Sequence, residues 1–124
     1  MLTYDDNPTI RNAIMRRLSQ EPGVDIVDIQ ITNKPDASPP HIQVGVWTLL
    51  RDRVDAEGLI DPRSFFDLPA EFSHSHLLNE IDEIAEQIKE IRRKTKMGRL
   101  IWNPLAILKR ETVKGTGLRG RWPQ

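Results

Sequence analysis

Five large apolar residues between positions 77 and 91 constrain this chain more than any other feature. Leu77, Ile81, Ile84, Ile88 and Ile91 recur at intervals of four, three, four and three residues. That spacing lines all five along one stripe of an α-helix and fits no strand. It predicts a long helix over 74–97, with Ser73 or Ser75 available as a cap and Gly98 as a stop. The acids Glu80, Asp82, Glu83 and Glu86 come early in it and the bases Lys89, Arg92, Arg93, Lys94 and Lys96 late, an order that complements the helix dipole. Glu90 and Lys94 add a favourable pair at i, i+4.

Two partners suit such a stripe. Isoleucine at both a and d positions favours a coiled coil of three or more strands, so Leu77, Ile81, Ile84, Ile88 and Ile91 form one candidate self-association seam. The pattern breaks at Thr95 and Gly98, however, and Leu78 and Ala85 widen the apolar face. A widened stripe is what a helix needs to pack on its own domain.

The charge is divided along the chain. Residues 1–88 carry sixteen acids and seven Lys/Arg, a net of −9, whereas residues 89–124 carry eleven Lys/Arg against Glu90 and Glu111, a net of +9. Beyond the helix, Arg99, Lys109, Arg110, Lys114, Arg119 and Arg121 continue the basic run, interleaved with Trp102 and Trp122. Gly115, Gly117, Gly120 and Pro123 predict that 99–124 is an extended basic arm. Bases beside stacking aromatics are the ingredients of phosphate and single-strand binding. No RNP, KH, zinc-finger or helix-turn-helix pattern accompanies them. The same residue types anchor protein interfaces, and a +9 arm suits the −9 body of a neighbouring copy.

Upstream, Asn7-Pro8 opens a first helix, capped by Asp6 or Asn7, whose stripe is Ile10, Ala13, Ile14 and Leu18. Pro22-Gly23 ends it. Val27, Ile29 and Ile31 then alternate with polar residues, as do Ile42, Val44 and Val46, predicting two strands paired as an antiparallel hairpin across a long turn. Two strands are marginal alone, so a further strand, a helix or a second subunit must complete the sheet. Residues 52–72 show no clean period but contain Phe65, Phe66 and Phe72, which suggests a packed connector. The expected fold is α+β: an N-terminal helix packed on a β-hairpin, a Phe-rich connector, a long amphipathic helix and the extended arm. Residues 1–98 form the domain and 99–124 the arm.

Function classes narrow by exclusion. The chain has no cysteine, which removes disulfides and thiol catalysis and fits a reducing compartment. Its first residues, MLTYDDNPT, lack the apolar core of a signal peptide. The longest apolar stretch, Leu100 to Leu108, is broken by Asn103-Pro104 and is too short to span a membrane. A soluble protein, intracellular or inside a virion, is expected. His74 and His76 lie near Asp67, Glu71 and Glu80 but form no metal-binding motif, and no metal or cofactor is expected. Neither the acid clusters nor His41 sits in a nucleophile or phosphate-loop pattern, so no enzyme is expected. These residues point to a non-enzymatic structural, assembly or adaptor subunit. It would dock its arm on a neighbouring subunit or larger partner, in a virion or similar assembly. The alternative is a small nucleic-acid-binding or regulatory protein using the same arm against phosphate.

Overall fold

The strand β2 (His41–Asp55) organises the fold. Its residues alternate, as a strand's must, so Ile42, Val44, Val46, Thr48 and Leu50 share one face and are buried. Gln43, Gly45 and Trp47 lie on the other face. The structure, a computed structural model, describes residues 1–97. Along one edge of β2, β1 (Val24–Lys34) pairs antiparallel, with Ile31 opposite Val44 and Ile29 opposite Val46. A bulge between Ile26 and Asp28 turns Val27 out to solvent. The extra residue keeps Val24 and Ile26 on the same face as Ile29 and Ile31.

The other edge corrects the expectation of a connector. Residues 52–72 instead contain the end of β2, the short strand β3 (Gly58–Ile60) and β4 (Arg63–Pro69). β4 pairs antiparallel with the first half of β2, placing Phe66 opposite Val44 and Phe65 opposite Gly45. β3 pairs with the second half through Leu50, Val54 and Asp55. This third lane supplies what a lone hairpin lacks. Thr48, a buried polar residue in the middle of β2, is satisfied there: its N–H and hydroxyl both donate to the Pro62 carbonyl, at 2.9 and 3.2 Å.

Two helices cover the apolar face. A 3-10 turn, Tyr4–Asp6, leads into α1 (Asn7–Leu18), which buries Ile10, Ile14 and Leu18. Asp6 does not cap α1 as expected, because its carboxylate accepts the Thr3 N–H at 2.8 Å and closes the preceding turn. α2 (His74–Lys94) is capped by Ser73, whose hydroxyl accepts the His76 N–H at 3.0 Å. Leu77, Ile81, Ile84, Ala85 and Ile88 are buried in the same core, and Ile91 packs at its margin. The stripe is therefore occupied by the chain's own sheet. While α2 lies there, the seam is not free to join a second helix.

α2 also ends earlier than expected, at Lys94 rather than at 97. Lys96–Met97 forms a short strand, β5, paired with Arg53 and Val54. Val54 pairs with β3 on one side, so β5 lies on the side of β1. The arm residues Arg99, Trp102, Lys109, Arg110, Lys114, Arg119, Arg121 and Trp122 fall outside the described residues.

Candidate functional site: the uncovered face of the sheet

Both helices pack on one side, leaving the opposite face of β1, β2 and β4 with nothing over it among the described residues. Alternation sends Asp28, Gln30 and Thr32 of β1 to that face, with Gln43, Gly45 and Trp47 of β2 and Arg63, Phe65 and Asp67 of β4. An antiparallel sheet with one wet face normally shows water a polar surface. Here the centre is aromatic. Phe65 is 77% exposed, the most exposed phenylalanine in the described chain. Its ring lies over Gly45, where an added Cβ would sit 3.1 Å from the ring. The Arg63 guanidinium stacks over the Trp47 ring, 4.3 Å from its centroid, a favourable cation–π arrangement. The Trp47 indole nitrogen is buried and has no hydrogen-bond partner among the described residues.

The Gly45–Phe65 pair divides the surface into two hollows. One, of about 170 Å³, is lined by Asp28, Gly45, Trp47, Arg63 and Phe65. The other, of about 340 Å³, is lined by Gln30, Thr32, Gln43, Phe65, Phe66 and Asp67. The first holds a cation, Arg63, and an anion, Asp28. The second holds Asp67, which makes no ion pair among the described residues. Such a surface can take an aromatic or aliphatic side chain and a nearby cation. It brings together no nucleophile and general base.

The basic residues of α2 have separate, local partners. Lys89 pairs with Glu86 at 3.2 Å and reaches Glu21 at 3.9 Å. Arg92 grips Asp52 through both guanidinium nitrogens, at 2.6 and 2.8 Å, and its carbonyl accepts from Arg53. Arg93 and Lys94 share Glu90. Lys96 is exposed on β5. Of the histidines, His76 lies 3.4 Å from Glu80, and no group of three or more metal-binding side chains occurs among the described residues. No helix in that region is long and apolar enough to cross a membrane.

Gly45, Trp47 and Arg63 were not among the residues the sequence singled out, and Phe65 was read only as a packing residue of the connector. The usable signal was Gly45, because glycine inside an alternating strand marks a close approach of something else. Here that something is Phe65. The architecture is a two-layer α+β domain with one open sheet face. This chain matches no protein-family model, no curated protein and no solved structure.

Proposed function

We propose that the protein is a non-enzymatic assembly or adaptor subunit that binds protein through the open sheet face and the basic segment 99–124. The observation that carries this is Phe65, an exposed aromatic at the centre of a sheet face, flanked by two hollows and by the stacked Trp47–Arg63 pair. Trp, Phe and Arg grouped at the centre of a patch are typical of the few residues that carry most of an interface's energy. Residues 1–97 contain seventeen acids and twelve Lys/Arg, a net of −5, and 98–124 a net of +5, so body and segment attract one another. A large assembly such as a virion is one setting for a subunit of this kind.

Light scattering on the full chain and on Phe65→Glu tests the reading. The unmodified chain is expected to exceed the monomer mass and the variant to fall to monomer. The variant should remain folded and lose no more than about 1 kcal/mol of stability, because it removes only the cross-strand packing of the ring on Gly45. Equal masses for the two proteins would sink the reading.

A second reading, nucleic-acid binding, is favoured by the aromatic surface itself, since bases stack on exposed rings beside arginine. Asp28 and Asp67 on the same face weigh against it. Its signature is a steep linear fall of log affinity for single-stranded RNA with log salt concentration.

A further inference from the structure

We propose that the larger hollow of the open face receives the Arg99–Trp102 stretch of a second copy of this chain. The proposal rests on the assembly reading above and names the contact that joins the subunits.

Charge and side-chain chemistry select the occupant. Asp67 stands at this hollow without a cationic partner among the described residues, whereas Arg63 belongs to the smaller one. In the smaller hollow Arg63 offsets the carboxylate of Asp28, so a basic segment is drawn more strongly to the larger one. Phe65 supplies its apolar wall, and Gln30, Thr32 and Gln43 its hydrogen-bonding groups. Arg99 and Trp102 stand three residues apart with Leu100 and Ile101 between them. One cation and one large aromatic match one carboxylate and one aromatic-walled hollow of about 340 Å³.

Reach decides whose segment it is. Met97, the last described residue, pairs with Arg53. Gly45, the nearest residue of β2 to line the hollow, lies eight positions back from Arg53, roughly 26 Å at the rise of a strand. Trp102 lies only five residues past Met97, a span of at most about 18 Å when fully extended. The shortfall of about 8 Å is about the length of a tryptophan side chain. A molecule brings Trp102 to the near rim of its own hollow only with the stretch pulled straight along β2, a restriction that a neighbour's segment does not have. Donor and acceptor are different surfaces, so docking repeats head to tail. Such a contact closes into a ring or continues as a filament.

The absence of cysteine makes the test clean. Two full-length single-cysteine variants, Gln43→Cys and Asn103→Cys, are mixed and oxidised, and the products are resolved without reductant. A disulfide-linked dimer containing one chain of each kind is expected. Its yield should fall several-fold when the Gln43→Cys chain also carries Asp67→Lys. Three results would overturn the proposal: no mixed dimer, a Gln43→Cys chain that links mainly to itself, or, in a single chain carrying both Gln43→Cys and Asn103→Cys, an intramolecular bond as the dominant product. The second would mean that two open faces stack directly, and the third that the hollow holds its own segment. Failure here with Phe65→Glu still monomeric removes this occupant alone. Loss of the mass difference in the Phe65→Glu comparison removes the assembly reading itself.

Discussion

At the scale of single residues, the junction of Gly23, Asp52 and Arg92 holds the end of α2 against the sheet. Gly23 has a φ of 74°, a left-handed conformation that glycine adopts without strain. A Cβ there would lie 2.7 Å from an Arg92 nitrogen and 2.8 Å from an Asp52 oxygen, so a side chain would break the fork as well as strain the backbone. The Arg92 guanidinium holds the Asp52 carboxyl below its ordinary value of 3.8. A carboxyl with a lowered folded-state pKa contributes stability above its unfolded value of about 3.9, and that contribution is lost as pH falls through the lower folded value. The Asp52 side chain is 40% exposed, so solvent screens the pair and limits its worth to about 1 kcal/mol. Asp52→Asn should therefore unfold at lower denaturant than the unmodified protein near neutral pH. The gap should close once the medium is acidic enough to protonate Asp52 in both states. Paired urea titrations at the two pH values measure this, and a gap that persists in acid would mean that packing, not charge, is what Asn disturbs.

At the scale of elements, legibility depended on whether each strand or helix showed its burial in its side chains. α1, α2, β1 and the first half of β2 did, because their buried faces are almost purely aliphatic. The second half of β2 did not. Its helix-facing positions run Leu50, Asp52, Val54, and the acid at the middle one hides the alternation until Arg92 is seen to neutralise it. β4 was obscured by an apolar residue on the wet side: Ser64, Phe66 and Leu68 turn inward, but Phe65 turns outward beside them. One cross-strand contact accounts for two anomalies, the outward phenylalanine and the glycine inside β2, because the ring fills the space that Gly45 leaves. Neither residue predicts the contact alone, which is why the candidate face was missed while α2 was found.

The α2 stripe offered a choice between intramolecular packing and self-association that spacing could not make. Depth of burial makes it. Ile84 is 3% exposed and Leu78, one position off the buried stripe, is 49% exposed. Ile84→Ala should cost about 2–4 kcal/mol in urea unfolding by removing buried methyls and leaving a cavity. Leu78→Ala should cost no more than about 0.5 kcal/mol. At concentrations where both variants remain folded, both should keep the unmodified mass in solution. A mass lost in Ile84→Ala without that stability loss would return the seam to intermolecular use.

At the scale of the whole molecule, a net charge of zero describes neither portion of the chain. With 1–97 at −5 and 98–124 at +5, the two parts neutralise one another only by contact. Within one molecule Arg99–Trp102 reaches the larger hollow only when pulled straight along β2, so on the proposed docking the contact forms between copies, and it should be sensitive to ionic strength. The screening length is about 10 Å at 0.1 M salt and about 3 Å at 1 M. Ions separated across an open sheet face are shielded at the higher value, while Phe65 and Trp102 attract regardless of salt. The mass in solution should therefore fall markedly between about 0.05 and 1 M salt without unfolding the domain, as followed by light scattering and circular dichroism on the same samples. A mass unchanged across that range would show that the opposite charges of body and segment do not hold the copies together. If the mass fell only as nucleic acid was released, read from the ratio of absorbance at 260 and 280 nm, the basic segment would be meeting phosphate and the carboxylates of the open face would be serving to repel it.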